Sequence, residues 1–197
     1  DLSTESVTSD NAVSASLFLG AGTADLTNIA ANVAAVLAAD FDNTTLTVDD
    51  DTNVQIDTEV AQAAANAAVV FQHEDNATAL TNNQLTLSVA DSVPTVANGD
   101  DVANAAGLTF TDIQALTIAM GDDGIDSSAD ITGADLETVV VTGAGAFDLN
   151  GNTLTGDATN RVTLDASAVE GVVTMVLDGT TDGVATITTG GGADAIT

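Results

Sequence analysis

Apolar and polar residues alternate over short stretches for most of the chain. Val13, Ala15, Leu17 and Leu19 fall on one side at period two and predict a strand. The same alternation recurs at Leu46 and Val48, at Val54 and Ile56, from Ala68 to Gln72, and most cleanly in Leu85-Thr86-Leu87-Ser88-Val89. Thr23 to Asp40 changes period. There Leu26, Ile29, Ala30, Val33, Val36 and Leu37 recur at helical spacing, with Thr23 or Asp25 as N-cap and Asp40 near the stop, so a helix is expected. Asp57 to Ala68 is alanine-rich and predicts a second, short helix capped by Asp57 or Thr58.

Pro94, the single proline, and Asn98-Gly99-Asp100-Asp101 make the strongest break in the pattern. It divides the chain into an expected mixed α/β module, 1–98, and a β module, 99–197. In the second module Leu108 to Phe110, Leu116 to Ile118, Leu136 to Thr142, Val162 to Leu164, Val172 to Leu177 and Val184 to Thr188 read as strands between turns of Asp, Gly, Ser and Ala, with Gly143 to Asn150 as a degenerate turn and a rung beginning at Phe147. Strands at roughly 10 to 15 residue intervals cannot bury their apolar side alone and need copies of themselves above and below. The expected fold is therefore mainly β, with a right-handed parallel β-solenoid-like C-terminal part and one or two short helices before it. An antiparallel β-sandwich uses the same strands and turns and stands as the alternative.

Composition sharpens this. Apolar content of 45% suits a folded protein, but it is Ala, Val, Leu and Ile, with five Phe, no Trp and no Tyr, which fits thin stacked layers. Without cysteine, neither disulfides nor thiolate metal sites exist. Thirty acidic residues against one basic residue, Arg161, give a formal charge of -29, which disfavours nucleic acid and anionic membranes as partners. No apolar run approaches the 18 or so residues of a membrane span. Asp outnumbers Glu by 25 to 5, and the short Asp is the residue of turns and calcium loops.

Several acidic turns could hold a hard cation. Asp49-x-Asp51-x-Asn53 imitates the start of an EF-hand, but Val54 stands where Gly is needed and Val60 where Glu is needed, leaving a looser calcium loop or a solvated turn. Gly121-Asp122-Asp123-Gly124-Ile125-Asp126 gathers three carboxylates in one turn, and Asp178 and Asp182 flank the turn before Val184. Thr189-Gly190-Gly191-Gly192-Ala193-Asp194-Ala195-Ile196-Thr197 nearly fits the nonapeptide of calcium-binding β-rolls, with Asp194 as ligand and Ile196 as the inward rung.

Asp165-Ala166-Ser167-Ala168 beside Val/Thr/Leu strands, followed by that Gly-Gly-Gly-Ala-Asp-Ala-Ile-Thr ending, resembles the RTX-type surface-layer and surface-adhesion proteins of Gram-negative bacteria. The resemblance implies β-solenoid segments, Ca2+ at Gly/Asp turns, type I secretion and a structural role at the bacterial cell surface. Thr189 departs from it, standing where the nonapeptide has its first Gly.

Enzyme chemistry finds no foothold in the sequence. His73, the one histidine, lies beside Glu74 and Asp75 and reads as a surface residue; no Gly-x-Ser-x-Gly elbow surrounds a serine, and without lysine there is no phosphate loop. Carboxylate pairs abound, but sugar-cleaving sites normally hold sugars on aromatic platforms, and this chain has no Trp or Tyr while its few Phe sit in apolar patterns that suggest core. The expectation is a non-enzyme: a structural subunit of an extracellular lattice or filament, self-associating, with cell-surface polysaccharide as a further partner. A calcium-stiffened adhesin or biofilm module and the non-catalytic tail of a secreted enzyme are the alternatives.

Overall fold

The computed structural model describes residues 15–19, 23–27, 29, 33–37, 44–57, 69–74, 82–90, 107–121, 124, 130–149, 154–156, 162–175 and 184–197. Seventeen strands run through them: β1 (Ala15–Leu19), β2 (Thr23–Asp25), β3 (Val33–Leu37), β4 (Thr45–Val48), β5 (Asn53–Asp57), β6 (Val69–His73), β7 (Gln84–Ala90), β8 (Leu108–Thr111), β9 (Ala115–Met120), β10 (Ile131–Thr132), β11 (Thr138–Gly143), β12 (Phe147–Leu149), β13 (Leu154–Thr155), β14 (Val162–Val169), β15 (Val173–Met175), β16 (Val184–Thr189) and β17 (Ala195–Ile196). No helix occurs among the described residues.

Every pairing is parallel, in three sheets. Eight strands follow the order β1-β3-β5-β7-β9-β11-β14-β16, six the order β13-β10-β8-β6-β4-β2, and three the order β12-β15-β17. The chain thus visits one large sheet, crosses to another and returns one strand further along. Register partners in the eight-stranded sheet lie between 18 residues (Ala15 to Val33) and 33 residues (Asn53 to Thr86) apart. An antiparallel sandwich has no such ladder.

Alternation fixes which side is inside. In β9 the pattern is half-buried, buried, half-buried throughout, so Leu116, Ile118 and Met120 face in while Ala115, Thr117 and Ala119 face out. Along the ladder the inward residues stack on their own kind: Val54 on Leu87, Leu87 on Ile118, and in the six-stranded sheet Leu46 on Phe71 and Phe71 on Phe110. A single apolar cluster draws on all three sheets, from Ala24 to Met175. Thin layers let Val, Leu and Ile make up most of it, with Phe71, Phe110 and Phe147 as its largest fully buried side chains.

The expected helix over Thr23 to Asp40 is replaced by β2 and β3. Its apparent helical spacing arose from two strand ends and a turn. Leu26 is fully buried and stays in the ladder through its N–H to Thr47 O (2.8 Å), while the Ile29 N–H turns back to Leu26 O (3.0 Å). The second expected helix lies almost entirely outside the described residues, only Asp57 appearing, at the end of β5. The 99–197 boundary also falls outside them, and β6–β8 and β7–β9 pairing carries both large sheets across it.

The dozen-residue rhythm of the C-terminal part likewise changes meaning. Leu136 and Val162 lead into strands of the eight-stranded sheet, but Phe147 and Val173 belong to the three-stranded one. Adjacent expected rungs are therefore neighbours around the chain's path, and the true repeat is Thr138 to Thr163 to Thr186. Asp165 to Ala168 continues β14 as a strand, with a register shift against β11 between Val140 and Thr142. Asp165 Oδ1 accepts the Ser167 N–H (3.0 Å) at that irregularity. The Ser167 hydroxyl, and then its backbone N–H, hold the Asp165 carboxyl below the usual carboxylate range.

Candidate functional site

The described acidic residues sit mostly where the chain leaves one sheet for the next. In the strands of the two larger sheets, outward positions with described side chains are Thr, Ser, Ala, Val, Asn and Gln, with Asp25 and Asp165 as the acidic exceptions. One outward column of the six-stranded sheet runs Thr23, Thr45, Val70, Thr109, Thr132, Thr155. Thr109 and Thr132 hydroxyls approach to 3.3 Å along it. Asp49, Asp50, Asp51, Glu74, Asp112, Asp130, Asp135, Glu137, Glu170 and Asp194 all lie outside strands.

Asp49 is engaged within its own turn. Its Oδ1 accepts the Thr52 hydroxyl (2.6 Å) and the Asp51 N–H (3.1 Å), and its own N–H donates to Thr52 Oγ1 (2.9 Å). Asp and Thr at this spacing cap a tight turn through the backbone. Asp51 is exposed beside it, so the two expected ligands share a turn that closes on itself. The middle residue, Asp50, does something different: its Oδ1 accepts the Gln84 N–H at the start of β7 (2.9 Å).

Asp194 reaches across a layer. Its Oδ1 accepts the Val173 N–H (3.0 Å), twenty-one positions back in sequence. Gly192 lets the turn come close enough, since a Cβ there would stand 2.2 Å from Gly171 O. Ile196 is in register with Met175, as an inward rung should be, yet it is 38% exposed because β17 is an edge strand. Asp122, Asp123, Asp126, Asp178 and Asp182 lie outside the described residues. Among those described, no three His, Cys, Asp or Glu side chains converge as a metal-holding group.

Sequence reasoning missed a buried polar corner where the chain passes from the six-stranded to the eight-stranded sheet. Thr52, Asn83 and Gln114, each immediately before a strand or one residue from it, are 5%, 3% and 8% exposed. Gln114 Oε1 accepts the Asn83 N–H (2.9 Å), Asn83 Nδ2 donates to Asp112 O (2.9 Å), and Asn83 O accepts the N–H of Gln114 (3.0 Å). Asn82 and Asp112 hold the corner in left-handed backbone at φ 66° and 58°, which Asn and Asp tolerate better than most residues. The signal for it was positional: a polar residue heading each of β5, β7 and β9.

This corner yields a direct expectation. Gln114→Ala strips the acceptor from a buried N–H and is expected to cost about 1 to 3 kcal/mol. Gln84→Ala, whose side chain is exposed, is expected to change stability by less than about 0.5 kcal/mol. Urea unfolding of the two variants checks both, and equal midpoints would refute the corner.

His73 is also unlike its expectation. It ends β6 with 3% exposure, in register with Val48, and its Nε2 lies 3.3 Å from Asp50 Oδ1. Compared with known protein families, with curated proteins and with solved structures, the chain matches none.

Proposed function

We propose that the chain is a structural module of an extracellular bacterial assembly, a surface layer or filament, whose acidic turns take up Ca2+. Its fold on this reading is a right-handed parallel β-solenoid, the hand expected of parallel crossovers. The observation that carries the reading is the sorting of residue types: outward strand rows nearly free of charge, carboxylates gathered where layers turn.

The physics follows from spacing. Neighbouring strands of a sheet stand about 4.8 Å apart, well inside a Debye length of about 8 Å at physiological salt. Carboxylates on successive turns therefore repel with little screening, and 30 of them with one basic residue strain the stack. A hard divalent cation bridging turns removes that repulsion, and Asp oxygens are its preferred ligands. Asp122, Asp123 and Asp126 in one turn and Asp178 and Asp182 in another are the chief candidates; Asp49 serves its own turn, and Asp194 has one oxygen engaged. The nearly uncharged strand faces are then available to lie against copies of the same chain or against surface polysaccharide. The resemblance to RTX-type surface proteins supports the same role and an extracellular, type I-secreted location.

Light scattering and negative-stain microscopy in millimolar Ca2+, after chelation, and in Mg2+ at matched ionic strength test this. Reversible growth into sheets or filaments with Ca2+ alone is the expected result. The triple variant Asp122→Asn, Asp123→Asn, Asp126→Asn is expected to need more Ca2+ for the same growth. A chain that only becomes more compact, and stays monomeric, would point instead to an adhesin stalk. No response to Ca2+ would refute the calcium role.

A further inference from the structure

The outward side of the six-stranded sheet is made of residues unusual for a chain with 30 carboxylates. One row across it runs Thr23, Thr45, Val70, Thr109, Thr132, Thr155, and a second begins at Asp25 and continues through Thr47, Gln72 and Thr111. Asp25, on the edge strand β2, is the only charge among these positions, and none of them is buried. The rows are also regular. No register shift interrupts the ladder from β2 to β13, whereas the eight-stranded sheet shifts on both sides of β14. β-Branched side chains are stiff at χ1, so a row of this kind repeats its methyl and hydroxyl groups at the interval of the strands.

We propose that this face binds ice. Water bonded tetrahedrally at about 2.8 Å sets second-neighbour oxygens about 4.6 Å apart, and in ice that interval persists as a lattice. Parallel strands repeat at about 4.8 Å. The two intervals drift by a few tenths of an ångström per strand, so they stay in step over the unbroken run Thr109, Thr132, Thr155 of β8, β10 and β13. The Thr109 and Thr132 hydroxyls lean together to 3.3 Å, and a turn of χ1 to another staggered well parts them to the strand interval. Charged side chains hold hydration shells of their own and keep a water lattice at a distance; hydroxyls and methyls do not. The size of the face argues against a protein partner. Five strand intervals by two outward positions about 7 Å apart make a footprint of a few hundred Å2, short of the roughly 800 Å2 per partner that a stable protein pair buries. With no Trp or Tyr in the chain, the face offers no such ring as a platform for a sugar. Contact between copies is left to the wider eight-stranded sheet, and the ice face depends on neither the calcium role nor self-assembly.

Nanolitre osmometry of the full chain at fixed Ca2+ and ionic strength tests it. Faceted ice crystals and a gap between melting and freezing points are the expected result. Thr109→Tyr and Thr132→Tyr, each raising a ring above the row, are expected to abolish the gap, while Thr117→Tyr on the outward side of β9 is expected to leave it unchanged. Circular dichroism checks that each variant is folded, and Thr155→Tyr on the edge strand β13 replaces either one that is not. Round crystals with no gap from the native chain, a gap that survives the variants, or an equal loss with Thr117→Tyr overturns the proposal. It falls equally if light scattering shows the Thr109 and Thr132 variants dissolving an assembly of the native chain while ice growth is unaffected.

Discussion

Gly143→Ala is expected to destabilise the protein by about 3 kcal/mol or more, through backbone conformation and contact together. Gly143 ends β11 at φ +114°, a region that L residues with a Cβ rarely enter. A Cβ there would stand 1.8 Å from Met120 O and 2.7 Å from its carbonyl carbon. The backbone has no room to retreat, because Gly143 is paired with Met120 on one side and Val169 on the other. Its carbonyl also accepts the Glu170 N–H at 2.8 Å. Moving it would break the eight-stranded sheet on both flanks. In a chain of this size about 3 kcal/mol corresponds to roughly 6 to 12 °C in melting temperature. Gly191→Ala is the control, since nothing lies within 4 Å of a Cβ there. A Gly143→Ala protein that melts like wild type would contradict the stacking of these corners.

These two glycines also mark what a linear reading can see. Both stand in Gly-rich runs that announce a turn, yet only the ladder separates a site that tolerates a methyl group from one that does not. Strands were legible for a simple reason: one face is buried, so Leu85, Leu87 and Val89 must alternate with Thr86 and Ser88 whatever they pack against. Short parallel strands with turns between them were not equally legible. Leu26, Ile29 and Val36 lie at helical spacing but reach burial separately, two at a turn and one in β3; Val36 is 1% exposed while its register partner is Gln55, on the outward row. Periodicity over a dozen residues cannot distinguish that from a helix.

The site was legible in residue type and illegible in partners. Asp194 was recognisable as a turn residue, but its bond to the Val173 N–H depends on a register spanning twenty-one residues. His73 read as a surface residue because a single imidazole had no second His, Cys or nucleophile near it in sequence; the fold instead sets it above Val48 and beside Asp50. Asn83 and Gln114 gave no sign of meeting, being 31 residues apart. Parallel stacking converts such distances into contacts, so the chemistry of this chain lies between layers more than within them.

The same layering makes Phe71→Ala a second strong test. Phe71 and Phe110 are register partners in adjacent strands of the six-stranded sheet, 0% and 1% exposed. Their rings stack with centroids 5.1 Å apart and an interplanar angle of 10°. Below Phe71 the ladder continues with Leu46, so truncation opens a void between two layers that the flanking strands keep apart. Their spacing is fixed by main-chain bonds such as Val70 N–H to Thr44 O (2.9 Å), so little collapse can follow. Losing a buried Phe under those conditions costs about 3 to 5 kcal/mol, part of it the aromatic pair itself, about 0.5 to 1.5 kcal/mol. Phe71→Leu keeps most of the volume and is expected to lose under half as much. Because each strand touches mainly its neighbours in the same sheet, the damage should stay local. Hydrogen exchange is expected to show β4, β6 and β8 losing protection while β11, β14 and β16 keep theirs. Uniform loss across all layers would mean that the stack unfolds as one cooperative unit, and unchanged stability would mean that the two rings do not meet.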